Sequence, residues 1–172
     1  QLTGGTIEAN VIVDAMGTIR GCGTITGSLT NKGSVIINCT PGLTIPGAIT
    51  NNGTMTFLGG ATLTAAGSFV NNGLLDLLTS PGTTLPFGFV NNGTVIYPGE
   101  VKIRSVSKSG TTFSARVQSF TGHNYQLQRT STLSNANWQN VGAAAAGNTG
   151  SDITLLDSAA ALQQFYRIQV SP

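Results

Sequence analysis

Apolar and polar positions in this chain recur with a fixed period. Asn31-Lys32-Gly33, Asn51-Asn52-Gly53, Asn71-Asn72-Gly73 and Asn91-Asn92-Gly93 follow one another every twenty residues, and their flanks align without a gap. Before each turn stand Leu29, Ile49, Phe69 and Phe89, each preceded by a polar or small residue. After it come Val35, Met55, Leu75 and Val95, then two residues later Ile37, Phe57, Leu77 and Tyr97. Apolar residues at every second position are the mark of a strand, whose successive side chains point to opposite faces. Gly and Pro punctuate every unit and forbid long helices.

A strand-turn-strand unit of this size cannot bury its apolar face alone, so the units must stack. Stacking at the strand spacing of about 4.8 Å places equivalent residues above one another. Leu29, Ile49, Phe69 and Phe89 are then one inward column. Val35, Met55, Leu75 and Val95 form a second, and Ile37, Phe57, Leu77 and Tyr97 a third. Asp76 and the intervening Thr and Ser residues should point outward. The turn residues Asn31, Asn51, Asn71 and Asn91 stack too, and their amides can bond to one another along the column. Asn and Gly both tolerate left-handed backbone, which suits a tight corner. Residues 23–98 thus predict coils of about twenty residues, and residues 1–22 an atypical first coil. A right-handed coil is favoured, because left-handed solenoids usually keep a stricter six-residue sub-repeat than these units show.

The repeat stops at Pro98-Gly99-Glu100, and the pattern changes. Strands are expected near residues 101–106, 112–118, 125–129, 138–141, 153–156 and 165–170, and this many short strands suggest a small antiparallel sandwich. Ala143 to Ala146 have no evident role in that pattern. Charge changes at the same place. Residues 1–100 hold Arg20 and Lys32 against Glu8, Asp14, Asp76 and Glu100. Residues 101–172 hold Lys102, Arg104, Lys108, Arg116, Arg129 and Arg167 against Asp152 and Asp157. The chain therefore reads as all-β, with a short parallel β-helix over 1–100 and a β-sandwich over 101–172.

Two resemblances attach to these residues. The Gly-Thr-Ile runs and Asn-x-Gly-Thr-Val turns of about residues 5–98 resemble the parallel β-helix passenger repeats of bacterial autotransporters. The segment from Lys102 to Ser171, closing on Phe165-Tyr166-Arg167-Ile168, resembles a sandwich module that ends many large secreted bacterial proteins. Both imply a fold and a location outside the cell; neither implies an activity.

Composition narrows the chemistry. Charged residues are only 8% of the chain, against a usual share of about 25%, which suits a protein outside the cell or one covered by copies of itself. Gln1 fits a processed end. The basic residues are too dispersed for a nucleic-acid footprint, and no apolar run approaches the roughly 20 residues of a membrane span. Six acids, widely spaced, do not readily supply the carboxylate pair of a glycosidase or the oxygen cage of a calcium site. His123 follows Thr121-Gly122 with no metal-ligand spacing around it and is expected on a surface turn. Trp138, Tyr125, Phe165 and Tyr166 read first as sandwich core, with a sugar-stacking platform as the alternative. No catalytic, metal or cofactor site is expected.

Cys22 and Cys39 are seventeen residues apart, nearly one coil, so both fall near one corner on adjacent coils. A disulfide between them is expected, and it fits an oxidising compartment. The functional expectation is a secreted or surface-exposed structural subunit that polymerises with copies of itself. The contact would be head-to-tail or by strand addition, with Leu2, Thr6 and Ile7 in the assembling segment. The alternatives are an adhesin or carbohydrate-binding fragment of a bacterial surface protein and, more remotely, a polysaccharide lyase.

Overall fold

The computed structural model describes residues 1–160 and 163–171. Contacts divide the chain into Gln1–Glu100 and Val101–Pro172. Among the described residues every regular element is a strand.

The first unit is a parallel β-solenoid of about five turns. Its first coil contains β1 (Leu2–Ile7), β2 (Val11–Val13) and the first half of β3 (Thr18–Ile25). The second half of β3 opens the next coil, completed by β4 (Leu29–Asn31) and β5 (Ser34–Ile37). Two further coils follow, β6 (Gly42–Ile45), β7 (Ile49–Asn51) and β8 (Thr54–Phe57), then β9 (Thr62–Ala65), β10 (Phe69–Asn71) and β11 (Leu74–Asp76). The last coil keeps only β12 (Val90–Asn91) and β13 (Thr94–Ile96). Because β3 bends through two faces, the first and third faces are one sheet, in which β3 pairs with β5, β6 and β1. The second face is the five-stranded order β12-β10-β7-β4-β2.

The twenty-residue period becomes register. Leu29 pairs with Ile49 and Ile49 with Phe69, while Val35 pairs with Met55 and Met55 with Leu75. Leu29, Ile49, Phe69, Val35, Met55, Leu75, Ile37, Phe57 and Leu77 are all buried. Each contributes roughly 1.5–3 kcal/mol of gross transfer free energy. The first face adds Ile25, Leu43, Ile45 and Leu63 to the same core. In the last coil the columns fray, since no further repeat stacks beyond it. Phe89 and Val95 are half-buried, and the Phe89 ring meets Phe69 edge-on at 4.9 Å. Tyr97 is not in the core: it is 46% exposed. The strand stops at Ile96, and a turn in which Glu100 N–H donates to the Tyr97 carbonyl carries the ring outward just before Pro98. Asp76 is not outward either. It is 3% exposed, and its Oδ1 accepts the Leu78 N–H at 3.0 Å, which caps the turn after β11.

The Asn-x-Gly corners also differ from the left-handed turn expected of them. None of Gly33, Gly53, Gly73 or Gly93 has positive φ, nor do the asparagines beside them. Glycine is needed because the next coil lies so close. A Cβ on Gly53 would lie 2.2 Å from the Gly33 carbonyl oxygen, one on Gly73 2.1 Å from that of Gly53, and one on Gly93 2.1 Å from that of Gly73. Gly27, Gly47 and Gly67 form a second such column, which the sequence reading missed. Phe87 takes the following place in that column and is fully exposed, in a coil that has lost its strand on the first face.

The second unit pairs two antiparallel three-stranded sheets. One is β14 (Ile103–Ser109), β15 (Thr112–Gln118) and β18 (Asp152–Asp157); the other is β17 (Gln139–Ala146), β16 (Asn124–Thr130) and β19 (Phe165–Ser171). Ala115, Val117, Tyr125, Leu127 and Leu155 form its core. Ala143 to Ala146 now have a place: they extend β17, beyond a bulge at which Gly142 has φ 65°.

Gly73→Ala should lower the unfolding free energy by at least about 2 kcal/mol, because the added methyl meets fixed backbone. Gly82→Ala, with nothing within 4 Å of its Cβ and no positive φ, should change it by less than about 0.5 kcal/mol. Urea unfolding midpoints of the two variants test the difference.

Candidate functional site

The sequence-predicted residues gather at the corner between the second and third faces, along one edge of the first face, and at the first coil. At the corner, Asn31 Nδ2 donates to Asn51 Oδ1 at 2.7 Å, Asn51 to Asn71 at 2.7 Å and Asn71 to Asn91 at 2.7 Å. Each amide uses its second N–H on a main-chain carbonyl of the next coil: Thr54 at 2.9 Å, Leu74 at 2.9 Å and Thr94 at 3.1 Å. Asn31, Asn51 and Asn71 are completely buried, so these bonds satisfy groups that water cannot reach. Asn91 is exposed at the end of the column, and Val13 occupies the equivalent position in the first coil. A second amide column lies outside, with Asn92 donating to Asn72 and Asn72 to Asn52 at 2.9 and 2.8 Å. The buried column is a structural device: its donors and acceptors are spent on one another, leaving nothing for a ligand.

Cys22 and Cys39 form a disulfide with a Cα–Cα distance of 5.8 Å, joining β3 to the loop that leads into β6. Closing a loop of this size contributes about 3 kcal/mol in the chain-entropy model.

The first coil is where the core comes nearest the surface. Leu2, Ile7, Val11 and Ile19 pack on the core but stay half-buried, and Thr6 is exposed. β1 pairs only with β3, β2 only with β4, and Thr18–Arg20 only with β5, so each strand of this coil has one edge unpaired. Ile12 is 65% exposed and Met16 99%. No proline lies in this coil.

In the sandwich, three aromatic or titratable residues sit differently from expectation. His123 is not on the surface but 2% exposed. Gly122, at φ 88°, turns the chain so that His123, Tyr125 and Leu127 share the inward side. Trp138 and Phe165 are only half-buried, since Trp138 stands just before β17 and Phe165 opens β19, both at the end of the sheet. The Arg167 guanidinium lies 4.5 Å from the Trp138 ring centroid, so that face is no open sugar platform. Tyr125 is fully buried and its hydroxyl accepts the Phe120 N–H at 2.9 Å. The network that organises this end is one the sequence reading did not single out. Arg129 Nη1 donates to both Asp157 oxygens, at 2.8 and 3.1 Å, and the Tyr166 hydroxyl donates to Asp157 Oδ2 at 3.0 Å. Tyr166 also stacks on Phe113 at 3.8 Å. Burial pushes the Asp157 carboxyl up, but the Ala159 amide, Arg129 and Tyr166 outweigh it and hold it below its usual value. Burial, then the Asp157 carboxylate, pushes the Tyr166 hydroxyl up to about 12.

Asn51→Ala strands an Asn31 N–H and the Asn71 Oδ1 in the interior, and should cost about 2–4 kcal/mol. Asn52→Ala, on the exposed column, should stay within about 0.5 kcal/mol. Denaturant titration of the pair measures this. The Asp157 network also gives a pH signature. Its folded pKa is depressed, so its contribution is present above the unfolded value and is lost as pH falls through the folded one. The Tyr166 value is raised, so its contribution holds below about 10 and is lost as pH rises from there towards about 12. Asp157→Asn should flatten the acid limb of a stability–pH profile recorded by thermal melting and reduce the basic limb only in part, because burial of Tyr166 persists. No protein-family model, curated protein or solved structure matches this chain, so the use of these surfaces has to be argued from their chemistry.

Proposed function

We propose that this chain is an extracellular structural subunit that assembles with copies of itself, the first coil of one copy adding its unpaired strand edges to a neighbour. The observation that carries this reading is that first coil. Its three strands offer free backbone donors and acceptors next to half-buried Leu2, Ile7, Val11 and Ile19. Natural sheets normally protect such edges with proline, a bulge, a covering helix or charge. Only a two-glycine irregularity between Thr3 and Thr6 and the scattered Glu8, Asp14 and Arg20 do so here. The last coil is treated differently. Pro81 and Pro86 stand where the first face has lost its strand, so pairing to that end would run through β12 and β13. A contact between unlike ends does not close on itself and propagates as a fibre.

The low charge favours association, because little repulsion separates the copies. The disulfide is compatible with a location outside the cell, where such bonds persist. A bacterial surface or secreted fibre, as the resemblance to passenger repeats implies, is part of the same proposal. Catalysis is not.

Electron microscopy of the purified intact chain is the test, with filaments or end-to-end chains of particles expected. Thr3→Lys with Thr6→Lys puts charge on the β1 edge and should abolish them while leaving the melting profile of each particle unchanged. Dispersed monomers from the unaltered protein at high concentration would overturn the reading.

A further inference from the structure

The sandwich carries a concave polar surface. Where β16 ends and the chain crosses to β17, a cavity of about 260 Å³ opens, and among the described residues every side chain lining it is polar. Ser131 brings a hydroxyl, and those of Thr130 and Thr132, whose protons go to the Thr132 and Ser134 carbonyls, bring acceptor oxygens. Asn135, Asn137, Gln139 and Gln164 bring amides. Hydroxyls and carboxamides each both donate and accept hydrogen bonds, the combination that matches adjacent hydroxyls on a ligand.

Charge narrows the class. Among the described residues the wall holds no carboxylate to pair with a cation. Its one guanidinium, Arg129, is matched by Asp157 and has Nη1 occupied by that carboxylate and by the Ala159 carbonyl. The cavity is therefore close to neutral, and Nε and Nη2 of Arg129 remain as directional donors. The wall is also braced. Thr130 Oγ1 donates to the Thr132 carbonyl at 3.0 Å, and Thr132 Oγ1 accepts the Ser134 N–H at 3.2 Å. Asn135 sits at φ 54°, the one non-glycine residue with positive φ among those described. Asn tolerates that region, so the residue fixes the bend of the loop.

We propose that this cavity binds a neutral, polyhydroxylated ligand, one or two sugar units of a glycan. Its volume lies below the roughly 300–1,000 Å³ of sites for drug-sized molecules, which limits it to a short segment. No aromatic ring lines it among the described residues, so affinity rests on hydrogen bonds that compete with water and belongs in the millimolar range. The site does not depend on self-assembly and would serve a fibre as a means of holding surface polysaccharide.

Saturation-transfer NMR on the intact chain tests it, and works for monomers and assemblies alike. The probes are the methyl glycosides of glucose, galactose and N-acetylglucosamine, with inorganic phosphate and sulfate as competitors. Saturable transfer to at least one sugar, undisturbed by either anion, is expected. Asn137→Ala with Gln139→Ala should weaken binding at least about tenfold without moving the melting temperature, whereas Asn52→Ala on the solenoid should leave it unchanged. No saturable transfer to any of the sugars would overturn the proposal. So would displacement of the sugar by phosphate or sulfate, or equal binding in the double variant.

Discussion

How closely one coil settles on the next governs the rest of the solenoid. At the corners the backbones approach until a single methyl group would sit about 2.1–2.4 Å from a carbonyl oxygen of the coil before it, as at Gly47, Gly53, Gly67, Gly73 and Gly93. Glycine removes that obstacle, and the asparagines beside it turn the close approach into bonding. An amide that donates to its own equivalent one coil on, and to the carbonyl three residues past that equivalent, holds two coils at one spacing and one rotation. The apolar columns then fall into register because the corners are in register. Hydrophobic burial supplies most of the free energy; the polar corner supplies its direction.

A structure built this way has an awkward property. Every coil is completed by its neighbours, so the end coils are incomplete by construction. The half-buried residues of the core cluster come mainly from the two ends: Leu2, Ile7, Val11 and Ile19 at one, and Leu85, Phe89 and Val95 at the other. The ends are not equivalent. Proline, a phenylalanine in the glycine column and a lost strand mark the last coil. The first coil carries full strands with open edges. That asymmetry is why self-association through the first coil is the functional reading that asks least of the molecule.

The sandwich solves a different problem. Its core is small, with only Ala115, Val117, Tyr125, Leu127 and Leu155 buried in the main cluster. Polar groups do much of the ordering around it. Gln128 bonds to Asn140, Gln169 and Arg167 across three strands, at 2.7, 2.8 and 2.7 Å. Arg129, on the next residue, reaches the other sheet through Asp157. One strand thus supplies alternate side chains to two networks, and the second of these leaves Arg129 at the edge of the polar cavity.

The period of twenty residues was enough, without coordinates, to establish a stacked parallel solenoid, its inward columns, the asparagine ladder and the proximity of Cys22 to Cys39. In a repeat, the neighbour of each residue is its own equivalent one period away, so three-dimensional contacts can be counted along the chain. The reading went astray where that rule lapses. Tyr97 and Asp76 lie where the last units depart from the pattern, and a turn decides which way each side chain faces. The glycines looked like turn formers, because a clash with another coil cannot be seen in a local motif. In the sandwich, strand positions were legible from alternation, but partners were not. The pairing of β15 with β18 and of β16 with β19 brings together residues about forty apart, and no period links them. The burial of His123, the Arg167 contact on Trp138, the Arg129–Asp157–Tyr166 network and the polar cavity beside it were therefore decided by tertiary structure alone. Each depends on a long-range pairing that local sequence does not encode.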